Sequence, residues 1–406
     1  MVDRIDADSI SLQAASSEST VDNLVRNGFS VQQILEFYKY YARQGRIKQG
    51  TTTNEVVKTI VIPETRDPPR CYMKSEFMQQ LGGGKIATRL VSHAWKSEFL
   101  STVINIILDA TGLHLRALLH PLTGCVSGGI LNAEKLLLEM DAQDLAKTYW
   151  LCIFAVDEHH AICGDCWTCN RNMEWVQDPS GHLKATPCLL CKKEKHNPCS
   201  CGTQKWTSDD EHYEIDKFDK VVSRMEALVV SLDGELSSIK RVWVVAEVAE
   251  AAKRIPIYFR RSAQLSDIAS QKILAKEDLL DSVTTCEATS PDDQNRILEK
   301  FKILEGGIAA YDGFVNFLLD CQFGAFWRLQ RLEGFANDAA KHIKGLTVDF
   351  SWRKMNLCKL PEEFEQASFE KLVALTNLSL NFNECENLSD ISALASMGKL
   401  TALTNL

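Results

Sequence analysis

The chain has 406 residues, 45% of them apolar and 24% charged, ordinary globular proportions, and that length fits two or three domains of about 150 residues. Its 45 Lys and Arg face 54 Asp and Glu, a formal net charge of −9. That balance excludes nucleic-acid binding through bulk positive charge, and the apolar content excludes a disordered chain. Met1 to Asp6 carry no secretory pattern, and no apolar run approaches the roughly 20 residues of a membrane span. A cytoplasmic protein without a membrane span is expected.

Residues 1–20, rich in Ser, Ala and Asp, read as a loose tail, and 21–84 as a helical region with a connector. Leu24, Val25, Phe29, Val31, Ile34, Leu35 and Phe37 fall largely on one helical face, with a break at Gly28–Ser30. Asn54 to Val61 carries Val56, Val57, Ile60 and Val61, so helix and strand compete there; Pro63, Pro68 and Pro69 mark the connector. Gly82-Gly83-Gly84-Lys85 fails as a phosphate loop. Ile86 stands where Ser or Thr should follow the Lys, Gln79 takes the first Gly position, and the run precedes a strand instead of following one. It reads as a flexible connector.

From Lys85 the pattern changes. Ile86–Trp95 reads as a buried strand and Glu98–Leu108 as an apolar helix. Thr148–Val156 reads as a second strand, running into Asp157-Glu158-His159-His160. Ala227–Leu232 is a third strand, Ser237–Lys253 a helix capped by Ser237 or Ser238, and Ile255–Phe259 a fourth strand. Continuous apolar strands alternating with helices predict an α/β domain over 85–262, its parallel sheet covered on both faces. Residues 263–345 read as a helical linker. Leu372-Val-Ala-Leu375-Thr-Asn-Leu378 then recurs 28 residues later as Leu400-Thr-Ala-Leu403-Thr-Asn-Leu406. Leu375, Leu378, Leu380 and Cys385 follow leucine-rich-repeat spacing, with a degenerate earlier copy at Leu346-Thr-Val348-Asp-Phe350. Residues 346–406 are therefore expected to start a leucine-rich-repeat solenoid, cut in mid-repeat, whose face binds a protein partner.

Of 14 cysteines, seven lie between Cys163 and Cys201, within an insertion at 161–215. A local cluster in an intracellular protein marks a metal site more often than disulfides. Two C-x-x-C knuckles can bring four thiolates around one tetrahedral zinc, which makes Cys163, Cys166, Cys188 and Cys191 the first expected quartet. Cys169, His196, Cys199 and Cys201 form a second set, with His182 also nearby in sequence. The zinc is expected to be structural, supplying folding free energy to a polar segment. Redox cysteines or surface thiols are the plainer alternative.

Ligands of open parallel sheets bind beyond the carboxyl ends of the strands. Ser92, His93 and Trp95 sit at that end of one expected strand; Asp157, Glu158, His159 and His160 sit at that end of another. Trp243 and Glu247, four residues apart, share a helix face. Convergence of such groups marks a site, whereas the bland reading makes them turn caps, satisfied histidines and a solvated carboxylate.

The runs Ser92-His93-Ala94-Trp95, Tyr149-Trp150-Leu-Cys-Ile-Phe-Ala-Val-Asp157 and Arg241-Val-Trp243-Val-Val-Ala-Glu247 resemble landmarks of TIR-like domains. The likeness is greatest to the divergent forms of protists and algae, and covers about residues 85–262. It implies a flavodoxin-like sheet. In NAD-cleaving members a W-C-x-x-E motif supplies the catalytic glutamate, and that motif lands on Trp243 and Glu247, with Val244 in place of Cys. No counterpart of the family's loop after its second strand is visible. The resemblance implies either a signalling adaptor, self-associating through the TIR-like domain, or an NAD+ glycohydrolase. In the second, Glu247 is catalytic and Ser92, His93, Trp95, Asp157 and Trp243 line the ligand. Val244 favours the adaptor and Glu247 the enzyme. A zinc hydrolase using His93, His159 and Asp157 is disfavoured because no H-E-x-x-H spacing occurs.

Overall fold

The computed structural model describes residues 19–112, 125–127, 130–163, 217–252, 254–263, 266–274, 278–288, 291–302, 307–322, 345–349 and 375–381. Shorter described pieces are 165–166, 171–172, 175–177, 183–185, 199, 201, 203, 212–214, 372, 392, 400 and 402. The chain forms two compact units, Met1–Leu90 with Ala133–Arg224 and Val91–Asn132 with Met225–Leu406.

The elements that matter for the sites are, in chain order, α1 (residues 19–26), β1 (Phe29–Ser30), α2 (Val31–Arg43), β2 (Arg89–Ser92), α3 (Phe99–Thr111), β3 (Thr148–Trp150) and α4 (Glu158–Ala161). They continue with β4 (Ala227–Leu232), α5 (Val242–Ala252), β5 (Ile257–Arg261), α6 (Pro291–Lys302), α7 (Gly307–Gln322), β6 (Gly345–Asp349) and β7 (Asn377–Asn381). Five strands follow the order β1-β3-β2-β4-β5. β3 is parallel to β2 and β5 parallel to β4, while β1 pairs antiparallel with β3 through Phe29 and Tyr149. The α/β class and its mostly parallel sheet agree with the sequence pattern.

In the first unit, the break at Gly28–Ser30 is the edge strand β1. Ser30 then caps α2: its hydroxyl accepts from the Gln33 amide at 3.2 Å, and Gln33 Oε1 accepts from the Ser30 amide at 2.8 Å, a reciprocal capping box. Gln33 Nε2 also donates to the Gly83 carbonyl at 2.8 Å. Gly28 and Lys85 exchange backbone bonds of 2.9 and 2.8 Å. The glycine run is therefore a pinned turn and not a flexible connector. Between α2 and β2, Thr53–Val56, a π turn at Val57–Val61 and Ile62–Glu64 are all helical, which resolves the ambiguity of the β-branched run. Pro63 lies inside that helical stretch.

The second expected strand is shorter than its apolar run. β3 ends at Trp150, and Cys152–Ala155 is a helical turn with Ile153, Phe154 and Ala155 buried. Periodicity cannot separate a buried strand from a buried turn when every residue is apolar. The Trp150 indole donates to the Leu24 carbonyl at 2.9 Å, which ties β3 to α1.

In the second unit all six residues of β4 are buried. α3 packs over it and supplies the polar ties: Asn105 Nδ2 donates to Ser231 Oγ at 2.8 Å and to the Leu232 carbonyl at 2.9 Å. Asp109, fully buried, pairs with Arg260 at 3.0 Å. The helix expected over Ser237–Lys253 begins late. Ser237–Lys240 is a 3-10 turn, Arg241 is extended, and α5 starts only at Val242. Ser238 caps nothing; its hydroxyl donates to the Ser231 carbonyl at 2.5 Å. Asp267–Leu274, α6 and α7 are helical. β6 and β7 pair in parallel, setting Leu346 opposite Leu378 and Val348 opposite Leu380. Leu372, Leu375 and Leu400 are buried, whereas Phe350, Cys385, Leu403 and Leu406 lie outside the described residues. Among the described residues no helix is long and apolar enough to cross a membrane.

A β-carbon on Gly84 would stand 2.4 Å from the Arg26 carbonyl oxygen. Gly84→Ala is expected to destabilise the first unit by about 1–3 kcal/mol through overpacking, read as a lower midpoint in chemical denaturation.

Candidate metal centre and candidate carboxylate site

A cluster of His and Cys side chains that could hold a metal ion lies in the first unit and is built on α4. Asp157 caps this short helix by accepting the His159 amide on Oδ1 at 2.9 Å, and its Oδ2 lies 2.9 Å from His160 Nδ1. His159 and Cys163 are four residues apart, so they share a helical face; the Cys163 thiol donates to the His159 carbonyl at 3.4 Å. Cys199 and Cys201 complete the group. Cys199 Sγ stands 3.4 Å from His159 Nδ1, and Cys163 and Cys201 Sγ stand 3.5 Å apart. The ligand atoms of His159, Cys163, Cys199 and Cys201 all lie within 4.8 Å of one another. A zinc tetrahedron with Zn–S of about 2.3 Å and Zn–N of about 2.0 Å has edges of about 3.5–3.8 Å, close to the 3.4 and 3.5 Å separations. Hydrogen bonding from Cys163, opposed by burial and helped by His159, lowers the Cys199 thiol to about 4, which favours the thiolate that binds metals. This group can hold a metal ion and is compatible with zinc.

The cluster draws on both expected cysteine sets, taking Cys163 from the first and Cys199 and Cys201 from the second. For Cys166 the backbone alone is described, in a two-residue strand. Cys169, Cys188, Cys191, His182 and His196 lie outside the described residues. His159, expected at a sheet rim or in a hydrolase, joins the sulfurs instead; its four-residue spacing from Cys163 was the overlooked signal. Asp157 belongs to this unit too, where it works as a helix cap. Its amide donates to Glu214 Oε2 at 2.8 Å, and burial pushes the Glu214 carboxyl up to about 7.

The second unit carries the carboxylate site. Ser92, buried at the end of β2, donates its hydroxyl to Glu247 Oε2 on α5. Burial raises the Glu247 carboxyl to about 7, against the lowering effect of the Ser92 bond. His93 is buried, with no partner for Nε2 among the described residues, and burial lowers its imidazole to about 4, so it is neutral at pH 7. Trp243 is half-buried, with the Arg296 guanidinium 5.7 Å from its ring centre. Trp95 is half-buried as well.

Comparison with known proteins finds no matching family model, no matching curated protein and no matching solved structure.

The chemistry therefore rests on the two constellations themselves. Four protein ligands are enough to fill a tetrahedral shell. A half-buried carboxyl poised near neutrality beside a fixed hydroxyl suits proton exchange or stabilisation of a developing cation.

Two outcomes follow. Cys199→Ala is expected to lower the cobalt(II) bound per chain by about one equivalent, because one tetrahedral shell takes one ion; sulfur-to-cobalt absorption measures it. For Glu247 the folded state holds its proton more tightly than the unfolded chain does. Its unfavourable contribution therefore appears as pH rises from the ordinary carboxyl range through about 7. Glu247→Gln should melt above the wild type at pH 8, and this gain should shrink toward pH 5. His93 is common to both chains and cancels.

Proposed function

We propose that the Ser92–Glu247 site cleaves the nicotinamide–ribose bond of NAD, in a TIR-like signalling protein. The observation that carries this reading is the hydrogen bond from Ser92 to Glu247. It joins the end of one parallel strand to the helix that follows another, bringing together two residues 155 positions apart. The strand order supports it. Within β3-β2-β4-β5, the four strands from β2 onward run second, first, third, fourth, as in flavodoxin-like sheets. There the ligand lies beyond the carboxyl ends of the first and third strands. Ser92 ends the first of these, and α5 follows the third.

In the reaction, the bond between ribose C1′ and the pyridinium nitrogen breaks and its electron pair neutralises the ring. The positive charge passes to the ribosyl group, and water adds at C1′ with loss of a proton. Ionised Glu247 would stabilise that cation, as a carboxylate does in glycoside hydrolysis. Ser92 would hold the carboxylate in one orientation, and Trp243 would offer a ring for stacking.

A second reading, the adaptor, is favoured by β6 and β7. Their parallel register places Leu346 beside Leu378 and Val348 beside Leu380, as successive turns of a leucine-rich-repeat solenoid would, and such a solenoid presents a protein-binding face. In both readings the metal is zinc and its role structural, held by three thiolates and one imidazole. A cytoplasmic setting fits cysteines kept as thiolate ligands.

The test is nicotinamide release from NAD by the full chain, at low and high protein concentration. Release that falls by about two to three orders of magnitude in Glu247→Gln, with the fold intact, supports the enzyme. No release at any concentration overturns it and leaves the adaptor.

A further inference from the structure

The metal cluster leans on a residue far from it in sequence. Thr65 follows the helical stretch 53–64 and is fully buried. Its hydroxyl oxygen lies 2.7 Å from the Val61 carbonyl oxygen and 3.1 Å from His159 Nε2. A hydroxyl has one proton, and a carbonyl can only accept. The proton must therefore point at Val61, so a lone pair of the Thr65 oxygen faces the imidazole. A 3.1 Å contact between that lone pair and Nε2 is a hydrogen bond only if Nε2 carries the ring proton. Nδ1 is then the nitrogen with the lone pair, and it is Nδ1 that stands 3.4 Å from Cys199 Sγ.

The segment that presents Thr65 is itself anchored. Glu64, the residue before it, accepts a hydrogen bond from the Tyr41 hydroxyl and pairs with Arg46 at 2.5 Å. Tyr41 and Tyr72 also share a hydrogen bond of 2.7 Å. The Arg46 guanidinium lies 4.9 Å from the Tyr41 ring centre. The bond from Thr65 to Val61 spans one helical turn, which fixes the threonine rotamer. A metal-bound imidazole is typically oriented by a partner on its other nitrogen, and losing that partner typically weakens metal binding by about 10–100-fold.

We infer that Thr65 is the positioning residue of the metal centre. It selects the His159 tautomer that ligates through Nδ1, and it couples metal binding to the helical stretch 53–64, across 94 residues of sequence. The inference rests on the metal reading of the His159 cluster and is independent of the NAD reading.

Zinc is titrated into the full-length chain, and the ¹⁵N signals of His159 report both its tautomer and the affinity of its site. In the wild type, zinc is expected to shift Nδ1 while Nε2 keeps its proton. Hydrogen exchange of the 61–65 amides should slow on binding. Thr65→Val, nearly the same shape without the acceptor, should weaken this site about 10–100-fold and abolish the slowing; Thr65→Ser should restore both. Equal affinity in wild type and Thr65→Val overturns the inference. So does a zinc-loaded wild type with its proton on Nδ1, a result that does not depend on how the valine variant folds. Wild-type His159 signals unmoved by zinc overturn the metal reading itself, before any variant is compared.

Discussion

Leaving a buried hydrogen-bonding group without a partner costs about 1–3 kcal/mol, and that penalty governs where polar side chains sit in both units. In the first, Trp150 can lie in the core because Leu24 accepts its indole proton, and Asn27 because Ala155 accepts from its amide at 2.9 Å. In the second, the Asn105 amide nitrogen and the Asp109 carboxylate sit on the buried side of α3 where β4 and Arg260 meet them. Each tie also fixes a distance between elements that apolar packing alone would leave adjustable. The same rule gives His159 its character. In the His159 imidazole one nitrogen faces a hydroxyl and the other a sulfur.

How far the sequence could be read depended on the kind of signal. β4 was legible to the residue, because ALVVSL is apolar except for Ser231 and is bounded by Glu226 and by Asp233-Gly234. The Thr148–Val156 run was misread for the same composition: a chain buried on every side shows no period, so strand and turn look alike. The late start of α5 was hidden too. Val242 to Ala252 is strongly helical, but the extended Arg241 that precedes it takes part in a backbone exchange with Glu287, whose amide donates to Lys240 at 2.8 Å and whose carbonyl accepts from Val242 at 3.1 Å. No local pattern announces a partner 46 residues away.

The candidate sites divide the same way. That Ser92 and Glu247 come within hydrogen-bonding distance agrees with topology, since strand ends and the helices after them gather at one edge of a parallel sheet. The candidate metal cluster was legible as a composition and illegible as a set of residues. Seven cysteines in one segment announce a metal, but three C-x-x-C units offer many pairings, and spacing does not rank them. The residue that completes the cluster is a histidine placed by a helix cap at Asp157, a signal written in hydrogen bonding and not in cysteine spacing.

β4 has a further consequence, for synthesis. It contains no charged residue, and all six of its side chains are buried. Its register partner β5 sets Leu232 opposite Arg261, 29 positions later in the chain. At the roughly 5–20 residues per second at which chains are made, that edge waits about one to six seconds for its pairing strand. For that interval an uncharged, mostly apolar strand presents unpaired amides and carbonyls, the sort of edge that recruits other chains. β2, made well before β4, is already there to cover one side. The other side is left to chaperones or to the speed of the ribosome.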